Sequence, residues 1–177
     1  ELIVKLDRYM FEHACRWYRS HLEQGGRPVS LAVNVSKAGL FQNDFVDYYT
    51  DIKAKYSIPD RVMELEFTES ILAADTELFA ELVVNLNARG FICSLDDFGS
   101  GYSSLNLLKN LPIDVLKLDI LFFQKSRDIR RERIVVSNVI NMAKELDIKT
   151  IAEGVEDMDT VEFLRKAGCN VIQGYVF

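Results

Sequence analysis

No apolar run in this chain approaches the roughly 20 residues needed to cross a bilayer. Its leading residues also lack the basic, apolar and small-residue order of a secretory signal. Direct membrane insertion is therefore not expected. A cytoplasmic location is, with any membrane anchor left to other domains of a parent protein. Basic charge is scarce as well: 21 Lys and Arg stand against 27 Asp and Glu, a formal net charge of −6. That balance argues against DNA or any nucleic acid held by a basic surface. Cysteine is limited to Cys15, Cys93 and Cys169, an odd number with no CxxC pair, so reduced, inert thiols are expected rather than a disulfide framework. His13 and His21 share one predicted helix with no acidic or cysteine partner at ligand spacing, which argues against zinc. Low-complexity tracts, linkers and repeats are absent.

What is present is a globular composition, 49% hydrophobic and 27% charged over 177 residues, suited to one domain. Periodicity predicts a helix over 2–23 with Ile3, Leu6, Met10, Ala14 and Trp17 on its inner face. Strand 30–35 follows, then a helix capped by Asn43 or Asp44 that buries Phe45, Tyr49 and Ile52. Strand 61–67 precedes a helix opened by Asp75, with Leu78, Phe79, Leu82, Val83 and Leu86 inward and Gly90 as its C-cap. Strand 91–95, a short helix near 104–110 and strand 114–118 come next. Helix 128–146 is read with Ile134, Val135, Val139, Met142 and Leu146 inward. Strand 148–152, helix 158–167, the Gly168 cap and strand 171–176 complete the pattern.

Strand–helix alternation with near-continuous apolar strands predicts an α/β fold built on a parallel sheet. A doubly wound sheet would carry a Gly-rich turn after its first strand, and none is present. A TIM-type barrel fits better, although about six strands are read here where a closed barrel has eight. The expectation is an incomplete barrel over 1–177, a single partial domain lacking two N-terminal strands.

The strand ends carry the chemistry. Asn34, Glu66, Asp96, Asp97, Lys117, Glu153 and Gln173 all fall at or near the C-terminal ends of predicted strands. In a barrel those ends converge on the face where active sites are built. Any one such carboxylate could simply cap the next helix, but seven separate caps would not share one sheet edge. Asn34, Glu66, Asp96, Asp97 and Glu153 offer hard oxygen donors without sulfur or imidazole, which selects magnesium, manganese or calcium. A turn after the strand is expected to bring both Asp96 and Asp97 to the rim. Two ions about 3.5–4 Å apart are a recurrent device for cleaving phosphate esters, and they would let an acidic protein accept an anion. Lys117 would add positive charge beside the reacting water. The segment after the Asp pair, GSGYSS, lacks the lysine of a nucleotide-binding P-loop. Asp97-Phe98-Gly99 matches a kinase triplet, but the accompanying kinase motifs are missing.

The stretches VNVS (33–36), ELEFTES (64–70), SLDDFGSGYSSL (94–105), LPIDVLKLD (111–119), IAEGVE (151–156) and IQGY (172–175) resemble, in order and spacing, the EAL-domain family of cyclic di-GMP phosphodiesterases. The resemblance covers essentially the whole chain. It implies a modified TIM-type barrel, cyclic di-GMP as substrate, linear pGpG as product, and Mg2+ or Mn2+, two ions, as cofactor. It also implies Asn34, Glu66, Asp96, Asp97 and Glu153 as metal ligands, and Lys117, Glu153 and Gln173 as catalytic groups. Glu69 is implied as the anchor of a loop at 98–104, and Gly99, Ser100, Gly101 and Tyr102 as its substrate-facing residues. A homodimer follows from the same likeness. The Glu-Ala-Leu motif that names the family is not in this sequence. In the family it lies before the helix with which this chain begins, in keeping with two missing strands. The alternative function is a catalytically inactive module that binds cyclic di-GMP or a protein partner.

Overall fold

The computed structural model describes residues 2–71, 76–99, 108–123 and 128–177. Along them run α1 (Leu2–Glu23), β1 (Leu31–Asn34), α2 (Lys37–Leu40), α3 (Phe45–Lys55), β2 (Met63–Thr68), α4 (Thr76–Ala88), β3 (Ile92–Phe98), β4 (Val115–Leu118), α5 (Ile129–Glu145), β5 (Lys149–Ala152), α6 (Met158–Ala167) and β6 (Val171–Ile172). The α/β class expected from the sequence is observed. The pairings β1–β2, β3–β4, β4–β5 and β5–β6 are all parallel, as strands separated by crossover helices must be. Asp75 and most of the short helix expected near 104–110 lie outside the described residues. The chain divides into two compact units, Glu1–Phe67 with Asp75–Cys93, and Thr68–Ala74 with Ser94–Phe177.

In the first unit, Met63, Leu65 and Phe67 of β2 are fully buried, each contributing about 1.5–3 kcal/mol by leaving water. The inner face of α1 differs from the sequence expectation. Asp7, Phe11, Cys15 and Tyr18 are buried, whereas Ile3, Leu6, Met10 and Trp17 are exposed. The helix carries two apolar stripes, and the one that packs includes a carboxylate because that carboxylate is satisfied. Asp7 accepts from the Ser36 backbone N–H at 3.2 Å and the Ser36 hydroxyl at 2.5 Å, while Ser36 Oγ caps α2 by accepting from the Gly39 N–H. Phe11 then packs against Tyr49 of α3 with centroids 4.4 Å apart and the rings tilted by 39°. Burial pushes the Cys15 thiol up to about 12, the inert state expected of it. Asp44 stands at the N-cap of α3, but its side chain pairs with Arg8 instead of the helix. On α4, Phe79, Val83 and Leu86 are buried and Leu78 is exposed, contrary to the inward face expected for it.

In the second unit, Val115 to Leu118 are all buried, as expected for a strand covered on both faces. α5 is rotated from its expected face: Val136, Val139, Ile140 and Ala143 are buried, while Ile134, Val135 and Leu146 are exposed. The observed set has the i, i+3, i+4, i+7 spacing of a packed stripe. Asp157 caps α6, accepting from the Thr160 N–H at 2.8 Å and the Thr160 hydroxyl at 2.9 Å, and Gly168 closes it at φ 88°. Those hydrogen bonds, the backbone one first, hold the Asp157 carboxyl below its ordinary range. A depressed carboxylate contributes stability above its unfolded value, near 4, and loses it as pH falls through the folded value. Asp157→Ala is therefore expected to cost about 1 kcal/mol at pH 7, roughly 2–4 °C in Tm. The gap from wild type should narrow as pH falls below the ordinary carboxylate range, and thermal melts at neutral and acid pH check it. The final strand is shorter than expected, only Val171–Ile172, because at Gly174 the chain turns against the Val155 backbone.

Candidate active site

The ends of β3, β4 and β5 are fixed by backbone bonds that continue past the strands. Asp119 N–H donates to Phe98 O at 3.3 Å, Glu153 N–H to Leu118 O at 3.0 Å, and Gln173 N–H to Ala152 O at 2.8 Å. Each residue past a strand end is thus tied to the last carbonyl of its neighbour, which sets where Asp119, Glu153 and Gln173 stand.

β3 carries a bulge. Leu95 pairs with Leu116 and Phe98 with Leu118, so three steps on β3 match two on β4. Asp97 takes up the extra residue at φ 56°, a left-handed conformation uncommon for a non-glycine residue. The strand itself, not a turn after it, therefore carries both aspartates. In a regular strand the two carboxylates would point to opposite faces. Here Asp96 Oδ1 lies 3.2 Å from Lys117 Nζ, and Asp97 interacts with Asp119, the residue just past the end of β4.

Lys117 is buried, and its Nζ lies 2.8 Å from Glu153 Oε1 and 3.2 Å from Asp96 Oδ1. Asp96 Oδ1 also accepts from the Asp97 N–H at 2.9 Å. One ammonium thus faces a group of four carboxylates, Asp96, Asp97, Asp119 and Glu153. The excess negative charge shows at Asp97, whose carboxyl lies above its ordinary range. Burial is the main cause, followed by the charges of Asp96, Asp119 and Glu153 and the hydrogen bond with Asp119. Among the described residues, no three His, Cys, Asp or Glu side chains stand at metal-binding separation. Asp96 and Glu153 instead close around the Lys117 ammonium. The donor set nonetheless fits a hard divalent ion: all ligand atoms are oxygen, and added positive charge would relieve the crowding that raises Asp97.

Across its whole length, residues 1–177, the sequence matches the family described as EAL domain. The chain belongs to the EAL-domain family. It is 34% identical over 175 residues to the bifunctional diguanylate cyclase/cyclic di-GMP phosphodiesterase MucR of Pseudomonas aeruginosa, covering 99% of this chain and 26% of that protein. This EAL chain thus spans about a quarter of the length of that relative. The solved PaMucR phosphodiesterase in complex with c-di-GMP matches it with a TM-score of 0.89 at 35% identity, over 99% of this chain and 71% of the other. The Klebsiella pneumoniae BlrP1 manganese/cy-diGMP complex matches with a TM-score of 0.81 at 26% identity, over 99% and 43%. These likenesses show the expected fold class, an incomplete TIM-type barrel of EAL type.

Of the residues singled out from sequence, the second unit of this EAL chain brings Asp96, Lys117 and Glu153 into direct contact and sets Asp97 beside them. Gln173 shares a cavity of about 460 Å3 with Glu153, Asp119, Ile120, Gly154, Gly174 and Tyr175. Glu69 accepts from the Gly99 N–H at 3.4 Å, and a side chain at Gly99, φ 98°, would strike the Phe122 ring. Ser100, Gly101 and Tyr102 lie outside the described residues. In the first unit, Asn34 is the cross-strand partner of Glu66, and Val35 N–H donates to Glu66 O at 3.0 Å. Asp119 was not singled out. Its signal was available as the spacing Lys117-Leu118-Asp119, which places lysine and carboxylate on one face of a strand end.

Proposed function

We propose that the protein carrying this chain hydrolyses cyclic di-GMP. Water adds across one phosphodiester P–O bond, giving linear pGpG with a new 5′-phosphate and a free 3′-hydroxyl. The observation that carries the reading is the buried Lys117 ammonium held between Asp96 and Glu153, with the crowded Asp97 beside them. The kinship with MucR and its cyclic di-GMP complex supports the substrate, and the manganese complex of BlrP1 supports the metal.

In this reading Asp96, Asp97 and Glu153 hold Mg2+ or Mn2+, two ions in all, and Asn34 and Glu66 are ligands from their own unit. When bound, such ions lower the pKa of water and neutralise phosphate oxygens. Glu153 orients the attacking water and accepts its proton. Lys117 stands where charge develops on the reacting oxygens and stabilises it. Gln173 donates from its amide to position the water or the phosphate. Glu69 anchors the start of the 98–104 loop through Gly99, and the substrate-facing role of Gly99, Ser100, Gly101 and Tyr102 belongs to the same proposal, as does a homodimer. The test is turnover of cyclic di-GMP with product separation by chromatography. Conversion to pGpG should stop with a chelator and return with Mn2+. Turnover that persists through exhaustive chelation contradicts the metal role, and binding without turnover in Mn2+ points to a receptor module.

A further inference from the structure

Asp7 is buried in the first unit, on a helix far in sequence from the strand end that carries Asn34. A buried carboxylate costs free energy unless donors surround it. Asp7 Oδ2 accepts two hydrogen bonds, and both come from Ser36, the second residue past Asn34, through its N–H and its hydroxyl. The same oxygen occupies space that only a glycine at position 39 leaves open, since a Cβ there would stand 2.6 Å from it. Ser36 Oγ in turn accepts from the Gly39 N–H at 3.0 Å. Carboxylate, hydroxyl and the start of α2 are thus locked together.

The sheet holds the same stretch of chain from another direction. Asn34 pairs with Glu66 across β1 and β2, and the Val35 N–H donates to Glu66 O at 3.0 Å. Of the two amides that follow Asn34, one is therefore fixed by β2 and the other by α1. Backbone pinned in this way sets the origin and direction of a side chain before any ligand arrives. We propose that Asp7 is a positioning residue for the metal centre, fixing through Ser36 the strand end from which Asn34 reaches the ion. This inference rests on the reading of Asn34 as a metal ligand given above. Groups that orient a ligand from behind are worth about 10- to 100-fold in metal affinity.

The test is Mn2+ binding to the protein carrying this chain, read from the electron paramagnetic resonance of the free ion. Wild type is compared with Asp7→Ala, Asp7→Asn, Asn34→Ala and the double alanine variant, each verified as folded by its melt. Asp7→Ala is expected to weaken Mn2+ binding at least about tenfold. Asp7→Asn, whose amide oxygen can accept both Ser36 hydrogen bonds, should stay nearer to wild type. In the Asn34→Ala background Asp7→Ala should add little, because residues that act through one ligand are not additive. A purely structural Asp7 would lower Tm yet leave the Mn2+ affinity of the folded protein unchanged, and that result overturns the inference. Equal loss in Asp7→Asn and Asp7→Ala also overturns it, because the buried charge and not the link to Ser36 would then act on the ion. Should Asp7→Ala fail to fold, Ser36→Ala takes its place: weaker Mn2+ binding supports the link, and unchanged binding overturns it. Wild-type affinity in Asn34→Ala overturns the ligand reading and this inference with it. Loss in Asn34→Ala without loss in Asp7→Ala overturns this inference alone.

Discussion

Replacing Lys117 with alanine is expected to lower cyclic di-GMP turnover by at least about a hundredfold, the effect of deleting one preorganised group that stabilises transition-state charge. The ammonium contacts two carboxylates at 2.8 and 3.2 Å from a buried position, so its removal also leaves Asp96 and Glu153 facing each other without compensation. Breaking a buried ion pair in this way costs about 3–5 kcal/mol. Bound cations should restore part of that loss, so the alanine variant should melt closer to wild type in Mn2+ than in chelator. Lys117→Arg separates the two effects. A guanidinium keeps the charge and the ion pairs, but it cannot reproduce the compact ammonium. Stability near wild type with turnover still reduced at least tenfold is expected. Wild-type turnover in either variant would remove Lys117 from the chemistry.

Gly174→Ala is expected to damage both stability and activity, although the glycine carries no functional group. Its Cβ would fall 2.0 Å from Val155 O and 2.4 Å from Val155 N, backbone atoms that cannot rotate away. Val155 is fully buried, so the strain passes to the segment holding Gln173 and Tyr175. Overpacking of this kind costs about 1–3 kcal/mol, and displacement of a site by about 1 Å can reduce turnover a hundredfold. Melting and steady-state assays on the same preparation check both. An alanine variant with unchanged Tm and unchanged rate would mean that the close contact with Val155 does not position the site.

The strand ends were legible in the sequence because burial on both faces leaves a run of apolar residues in which a charged side chain stands out. Lys117 between Leu116 and Leu118, and Glu66 between Leu65 and Phe67, stood out for that reason, and the structure buries both. The helix faces were less legible. α1 and α5 each carry more apolar residues than one stripe needs, and counting them cannot tell which stripe packs. In α1 the decision falls to Asp7, whose burial is possible only through Ser36, a residue in a distant part of the sequence. The bulge at Asp97 was not legible either. Alternation predicts opposite faces for adjacent carboxylates, and only the pairing of Leu95 and Phe98 with β4 reveals the extra residue. Asp119 was missed because a carboxylate following an apolar strand has the appearance of an ordinary cap, and it does cap the turn that follows, accepting from the Leu121 N–H at 2.7 Å.

The most direct measurement of the central claim is the rate at which the protein carrying this chain converts cyclic di-GMP to pGpG in Mn2+, with the Lys117→Ala variant assayed beside it. Conversion by the wild type that falls at least a hundredfold in the folded variant would place the hydrolysis at the lysine–carboxylate cluster. Equal rates in the two proteins would contradict that assignment, and a wild type that binds the dinucleotide without cleaving it would contradict the proposed enzyme.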